Sequence, residues 1–312
     1  MSKRRYRIRN WRDYNKALIH RGDIDLWFDS RSIKRWYCTQ KSGRRGRSYL
    51  YSSMAIQCMS LVKAVFHLPL RGTQGFMMSM SRWLKLPLQV PYYSTLSRRQ
   101  KKLPVKLSPR FSRNGPLHIV VDGTGLKVYG EGEWKVRQHG YSKRRTWRKL
   151  HLAVDTRSHS IMASVVTTSD VQDNEVTDDL LDQIKGDIAQ VTGDGMYDKW
   201  PCYKSIEGHK AIAVIPPQKN AKIKQHGNNK APPLMRDQAI REVRRIGLKN
   251  WKVAHAYHQR SLVETAIFRF KKLFGTYVSA RLFGHQATEL FIKCCALNRM
   301  TKLGMPDSVA IV

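Results

Sequence analysis

Asp122 directly follows the apolar run Ile119-Val120-Val121, and Asp194 follows Val191-Thr192-Gly193. Each stands before a glycine, so each reads as an acid at the end of a β-strand, ahead of a tight turn. Carboxylates in that position suit hard divalent cations. Mg²⁺ binds through one or two of them together with substrate phosphates. Two such ions about 3.5–4 Å apart can hold the attacking and leaving oxygens of an in-line phosphoryl transfer. Two neighbouring strand ends and one helix could supply the carboxylates. Either Asp taken singly is equally well a turn residue, because Asp-Gly is foremost a turn dipeptide.

The third element lies between His255 and Phe274, where Tyr257, Arg260, Glu264 and Lys271 fall at offsets of 0, 3, 7 and 14. On an α-helix these steps bring all four onto nearly one face. The spacing predicts a helix over Arg260 to Phe274, with Ile267, Phe268, Leu273 and Phe274 on other sides and free to bury against a sheet. The face would present a carboxylate for metal between two cations and a phenol. It would equally serve as a solvated surface with an i,i+4 Arg–Glu pair. Glu289 is the competing choice for the third acid, but it lacks the Arg and Lys neighbours that frame Glu264.

Tyr257-x2-Arg260-x3-Glu264-x6-Lys271, with Asp122-Gly-Thr-Gly and Asp194-Gly-Met-Tyr197-Asp198 about seventy residues apart in the chain, resembles the DDE transposases of bacterial insertion sequences, and more narrowly insertion-sequence family five. The resemblance covers residues 113–300 and is looser for the N-terminal third, where the family carries a helical DNA-binding segment. It implies a ribonuclease-H-like domain in which Asp122, Asp194 and Glu264 hold two Mg²⁺ ions, with Mn²⁺ as a substitute. Arg260 and Lys271 would grip phosphates beside the cleaved end, and Tyr257 would help fix the backbone. The implied partner is double-stranded DNA, both terminal inverted repeats and target, synapsed by a homo-oligomer.

Around these residues the pattern is α/β with a mixed central sheet. Strands are expected at Leu117–Val121, Lys149–Val154, Ser160–Val166, Gln190–Thr192 and Ala211–Ile215. Helices are expected at Asn174–Ile184, Pro201–Glu207, Arg260–Phe274 and His285–Leu303. Residues 216–238 read as a mobile loop, since their first part is rich in Lys, Asn, Gln and Pro. Asp155, Asp170, Asp173 and Glu175 read as caps and turn residues, and Asp198 as a cap before Trp200-Pro201. His118, His139 and His151 lack metal-ligand spacing and read as core or DNA-facing. A basic cluster, Lys135, Arg137, Lys143, Arg144, Arg145 and Arg148, lies between the first two strands. It suits either a DNA backbone or a solvated hairpin.

The 312 residues carry 57 Lys and Arg against 23 Asp and Glu, a net charge of +34. A compact state with that excess repels itself, and a polyanion is the natural compensation. Residues 1–110 hold 25 Lys and Arg and 4 acids, a net of +21, with the rest at +13. That segment, residues 1–112, reads as an all-α domain before a catalytic domain of residues 113–312. Helices are expected at Tyr51–Leu68, Gly72–Leu84 and Tyr93–Gln100. The last carries Arg98 and Arg99 and leads into Lys101 and Lys102. Helix, short break and basic helix is the shape of a helix-turn-helix DNA reader. A helical bundle with a charged face fits the same pattern.

Five cysteines without a CxxC pair argue against a disulfide framework or zinc ribbon. No stretch approaches the roughly 18 apolar residues of a membrane span. Met1-Ser2-Lys3-Arg4-Arg5 lacks the apolar run of a secretory signal. The reading is a cytoplasmic, nucleoid-associated bacterial transposase. Two alternatives stay open: a ribonuclease-H-like nuclease or resolvase without strand transfer, and a non-catalytic DNA-binding regulator derived from a transposase.

Overall fold

A computed structural model describes residues 5–39, 46, 48–101, 103–109, 115–128, 147–226 and 231–311. The chain divides into two units, Met1–Ser108 with Ala280–Val312, and Pro109–Ser279.

The first unit opens with β1 (Arg5–Ile8), α1 (Trp11–His20), α2 (Ile24–Trp27) and α3 (Ser30–Lys34), followed by α4 (Ser53–Val65), α5 (Leu70–Trp83) and α6 (Tyr93–Gln100). The Asp29 carboxylate accepts from Ser32 N at 2.7 Å to cap α3, and Ser52 Oγ accepts from Ala55 N at 3.1 Å to cap α4. α4 is apolar almost all round, with Ile56, Met59, Leu61 and Val62 buried, so it needs cover on every side. Trp27 and Trp36 are core residues, and their indole N–H groups donate to Arg21 O and Gln89 O.

Phe66–Pro69 joins α4 to α5, and the chain bends there by 109°. His67 takes a left-handed φ of 52° within the turn. Two helices at about 90–120° across a short turn are the helix-turn-helix geometry. It falls between α4 and α5, one helix earlier than the sequence pattern suggests, because Pro87 and Pro91 spread the next connection over nine residues.

The second unit is built on β2 (Leu117–Val128), β3 (Trp147–Asp155), β4 (Ile161–Thr168), α7 (Thr177–Leu181), β5 (Ile188–Thr192), α8 (Trp200–Gly208) and β6 (Ile212–Val214). It continues with α9 (Met235–Ile246), α10 (Leu248–Ala254), α11 (Ser261–Phe274) and β7 (Tyr277–Val278). The sheet order is β4-β3-β2-β5-β6. β2, β3 and β4 run antiparallel, while β5 and β6 run parallel to β2. β7 pairs in parallel with the far end of β2. An antiparallel three-strand meander continued by two parallel strands, with helices on the flanks, is a ribonuclease-H-like arrangement.

Alternation along the strands sends Leu117, Ile119 and Val121 to one side. There they meet Leu180 and Leu181 of α7 and Cys202 and Ile206 of α8. α11 packs on β2 and β3. Its buried residues are Val263, Ala266, Phe270 and Phe274, at steps of three and four. Of the expected apolar side, Phe274 is buried, Ile267 and Leu273 are half-buried, and Phe268 is misplaced. Phe268 is 67% exposed, because the helix turns Val263 and Phe270 inward instead.

α12 (Phe283–Leu303) and β8 (Ser308–Ile311) return to the first unit. There α12 packs on α4, and β8 pairs antiparallel with β1. The expected split after residue 112 differs from this at the C-terminal end. α12 is buried along most of its length, from Gln286 to Thr301, and finds its cover in the apolar surface of α4. The unit expected to be all-α thereby gains a two-stranded ribbon. Among the described residues, no single helix is long and apolar enough to cross a membrane.

Candidate active site

Val120 of β2 pairs with Thr192 of β5 across their parallel junction. Asp122 stands two residues beyond this pair on β2, and Asp194 two residues beyond the end of β5. Asp194 begins the short 3₁₀ turn Gly195–Tyr197, and its Oδ1 accepts from Met196 N at 2.9 Å. The strand-end reading holds for Asp194. Asp122 lies instead in mid-strand, paired with Leu152, because β3 continues to pair with β2 as far as Lys127 and Trp147.

Two glycines make this geometry possible. A Cβ on Gly123 would sit 2.9 Å from the Asp173 carboxylate, and one on Gly193 would sit 2.9 Å from the Tyr197 ring. In Asp122-Gly123 and Gly193-Asp194 the glycine thus serves close packing beside each acid rather than turn formation.

The third acid arrives from α11. Ala256, with a left-handed φ of 49°, turns the chain out of α10 into the 3₁₀ turn Tyr257–Arg260, and α11 starts at Ser261. So the expected helix begins one residue late, and Tyr257 and Arg260 stand on its approach. Arg260 Nη1 lies 3.5 Å from Asp122 Oδ2, and Nη2 donates to Glu264 Oε1. Burial works against the Arg260 charge, yet Tyr257, Glu264, Asp122 and Asp194 together hold its pKa above the ordinary value. Arg260 is the point on which the predicted acids converge.

Burial pushes the Asp122 carboxyl up to about 6. The Gly123 amide and Arg260 pull it down, and Asp194 and Asp173 add to the rise. Burial also raises Tyr257, whose phenol shares Arg260, Asp194, Glu264 and Asp122 as charged neighbours. Its ring is fixed against Trp251 at 6.4 Å, with Lys252 Nζ 5.1 Å from its centre. Lys271 lies on the Glu264 face, roughly 10 Å further along the axis. It is half-buried.

Asp173 is the residue that the sequence reading passed over as a cap. The cap of that 3₁₀ turn is Gln172, which forms a capping box with Glu175. The Asp173 Oδ1 instead accepts from Lys149 Nζ at 3.3 Å and lies 3.5 Å from His151 Nδ1. His151 is fully buried, opposite Gly123 on β3, with Nε2 on Thr167 Oγ1 at 2.9 Å. Tyr197 is buried beside the same acids, and its hydroxyl has no hydrogen-bond partner among the described residues. Burial first, then Asp173, Asp122 and Asp194, raise its pKa. The usable signal was Gly123: a glycine in a pairing strand marks close approach by another group.

Asp198 is likewise no helix cap. Its carboxylate is fully buried and takes Arg236 Nε at 2.7 Å and Nη2 at 2.9 Å, with Gln218 N at 2.9 Å. Asp198 thus ties the strand-end turn that carries Asp194 to α9. The described part of the 216–238 segment is held in the same way. The buried Asp237 carboxylate accepts from the backbone N–H groups of Lys224 and Gln225.

The donor set around Asp122 is made of carboxylates, with no thiol and no imidazole within the triad. An acid raised chiefly by burial, and further by the nearby Asp194 and Asp173, is one whose charged form a hard divalent cation would favour. Asp122, Asp194 and Glu264 have the oxygen-donor chemistry such an ion takes, and Arg260 supplies positive charge between Asp122 and Glu264. Among the described residues, the three-residue group whose ligand atoms lie within 4.8 Å of one another is a different one, made of Asp178 on α7, Asp182 just after it and His209 just after α8. The triad is more open than that.

Elsewhere, Arg98 and Lys101 are exposed. Arg99 Nη1 donates to Tyr51 O at 2.9 Å, and its guanidinium lies 3.9 Å from the Tyr49 ring centre. Lys102, Arg144 and Arg145 lie outside the described residues, as do Lys135, Arg137, His139 and Lys143. Glu289, the competing third acid, pairs with Lys293 at 2.8 Å within α12.

Comparison with known proteins follows the same lines. A family model described as a transposase DDE domain matches residues 113–299, and a second model of that description matches residues 19–131. Among solved structures, the chain is similar to the piggyBac transposase in a synaptic complex with hairpin DNA. The identity is 12% over 96% of this chain and 76% of that one, with a TM-score of 0.38.

Proposed function

This chain belongs to the family of DDE transposases, and we propose that it binds the terminal inverted repeats of its own insertion sequence, cleaves there and joins the freed ends to target DNA. Membership implies use of a divalent metal and of DNA. Asp122, Asp194 and Glu264 are the residues we assign to hold it, as Mg²⁺ or Mn²⁺.

The observation that carries the assignment is the bridging of Asp122 and Glu264 by Arg260, whose charge Tyr257 and Asp194 also favour. Three separate elements, β2, the turn after β5, and α11 with its approach, deliver them. When bound, the cations supply the positive charge that lets a water or 3′-hydroxyl attack phosphorus and lets the leaving oxygen depart. The protein's own groups do the rest. Arg260 is a planar donor suited to phosphate oxygens, and Tyr257 is a phenol held rigid by Trp251. Lys271, further along the same face, would reach backbone on one side of the cleaved bond. In the first unit, Arg98 and Lys101 offer exposed charge to the DNA backbone. Pairing of two ends calls for an oligomer.

The test is incubation of the full chain with Mg²⁺ and DNA spanning both ends of the element that encodes it. Cleavage at the ends followed by joining of 3′ ends to a target supports the proposal. Hydrolysis without any joining would show a nuclease or resolvase instead, and binding without breakage a regulator.

A further inference from the structure

Gly75 stands in the interior of α5, and a Cβ placed on it would meet no atom within 4 Å. Glycine inside a helix costs stability relative to alanine, through backbone entropy that nothing local returns. Gly123 and Gly193 show what a needed glycine looks like, each with a side chain filling the space of its absent Cβ. Gly75 has no such neighbour among the described residues. The space it leaves open faces away from the protein.

The residues around it share that orientation. Arg71, Gly75, Met78 and the exposed Arg82 follow at steps of four, three and four, so they form one stripe along α5. The buried residues of the same helix are Thr73, Met77 and Ser81, on the other side. The helix has no acidic residue and ends at Trp83, which is 84% exposed. Arg71 lies at the start of the helix, its guanidinium 4.7 Å from the centre of the Tyr93 ring.

We propose that α5 is the helix that reads the DNA ends, laying its Arg71–Gly75–Met78–Arg82 stripe into the major groove with Gly75 at the point of closest approach. This rests on the transposase reading and deepens it by naming the reading surface. The 109° bend across Phe66–Pro69 makes α4 the supporting helix and α5 the second helix of the pair, the one that enters the groove in such readers. In those readers the N-terminal residues of the second helix meet base edges, which is where Arg71 stands. The stripe is cationic and small at its centre, which complements a polyanion whose groove admits a helix only at close quarters. Arg98 and Lys101 of α6 and its end would then hold backbone and carry no sequence information.

The experiment measures binding of the full chain to duplexes spanning the two ends of its element and to scrambled duplexes of equal composition, with melting temperatures of the free protein. Gly75→Leu should melt at the same temperature as the parent or higher, and bind end duplexes at least tenfold more weakly. Its binding to scrambled duplexes should change less than twofold. Arg71→Ala should reduce the preference for ends by tenfold or more, while Lys101→Ala should weaken both duplexes alike. If Gly75→Leu and Arg71→Ala keep the full preference of the parent, the assignment to α5 is wrong. A parent chain that prefers neither duplex would instead overturn the transposase reading itself.

Discussion

Arg260 reaches from the approach to α11 to Asp122 in the middle of β2, its Nη1 3.5 Å from Oδ2, while Nη2 holds Glu264. One guanidinium therefore stands between two acids that come from opposite ends of the catalytic unit's sequence. Without it their charges face each other and Asp194 unrelieved.

Arg260→Met should lower stability in EDTA by about 1–2 kcal/mol, since it leaves the partly buried Asp122 carboxylate without its cation. Glu264 is half exposed and adds little to this. Mg²⁺ should restore more stability to the variant than it adds to the parent. Thermal melts with and without the ion check this, and equal Mg²⁺ shifts in both proteins would contradict it.

Asp122→Asn should abolish strand cleavage and joining, a loss of at least about a thousandfold for a group that binds catalytic metal. In EDTA it should melt at the parent temperature or above. The fold opposes the Asp122 charge, through burial and the nearby Asp194 and Asp173 carboxylates, so a neutral amide relieves repulsion. End binding should persist. A variant that joins ends at the parental rate would remove Asp122 from the site.

The residues proposed for this site could be picked out from local sequence, for a physical reason. Asp122 and Asp194 each follow an apolar β-run, and the Glu264–Lys271 spacing matches a helical period, with Tyr257 and Arg260 on the turn that leads into the helix. What stayed hidden depends on partners far along the chain. The extension of β2 through Gly123 and Gly125 follows from pairing with β3, whose residues come some twenty-five positions later. The role of Asp198 depends on Arg236, and that of Asp173 on Lys149 and His151. Local propensity reads all of these acids as caps and turns, because it does not see the buried cation or imidazole that meets them. The placement of α12 was missed likewise, since its apolar circumference does not say which apolar surface covers it.

Gly123→Ala should destabilise by about 1–3 kcal/mol, because the new methyl meets the Asp173 carboxylate at 2.9 Å and one of the two must shift. Asp173→Ser in the same chain should relieve part of that cost. A double-mutant cycle by chemical denaturation should give a coupling of at least about 0.5 kcal/mol. Strict additivity would mean that the strand moves freely at Gly123, and that Asp173 does not set its position.

Arg236→Met should cost about 3 kcal/mol or more, because the Asp198 carboxylate is fully buried and loses two charged hydrogen bonds at 2.7 and 2.9 Å. Tyr203 and the Gln218 amide remain as its partners and do not neutralise it. Asp198→Asn combined with Arg236→Met should recover much of the loss, since neither charge is then stranded. Urea unfolding of the three variants measures this. Activity adds a second readout, because Asp198 lies four residues after Asp194 and ties its turn to α9. The single variant should therefore lose cleavage at a temperature where it is still folded, with end binding retained. Full cleavage by a destabilised Arg236→Met protein would show that the pair supports stability alone and leaves the Asp194 turn in place.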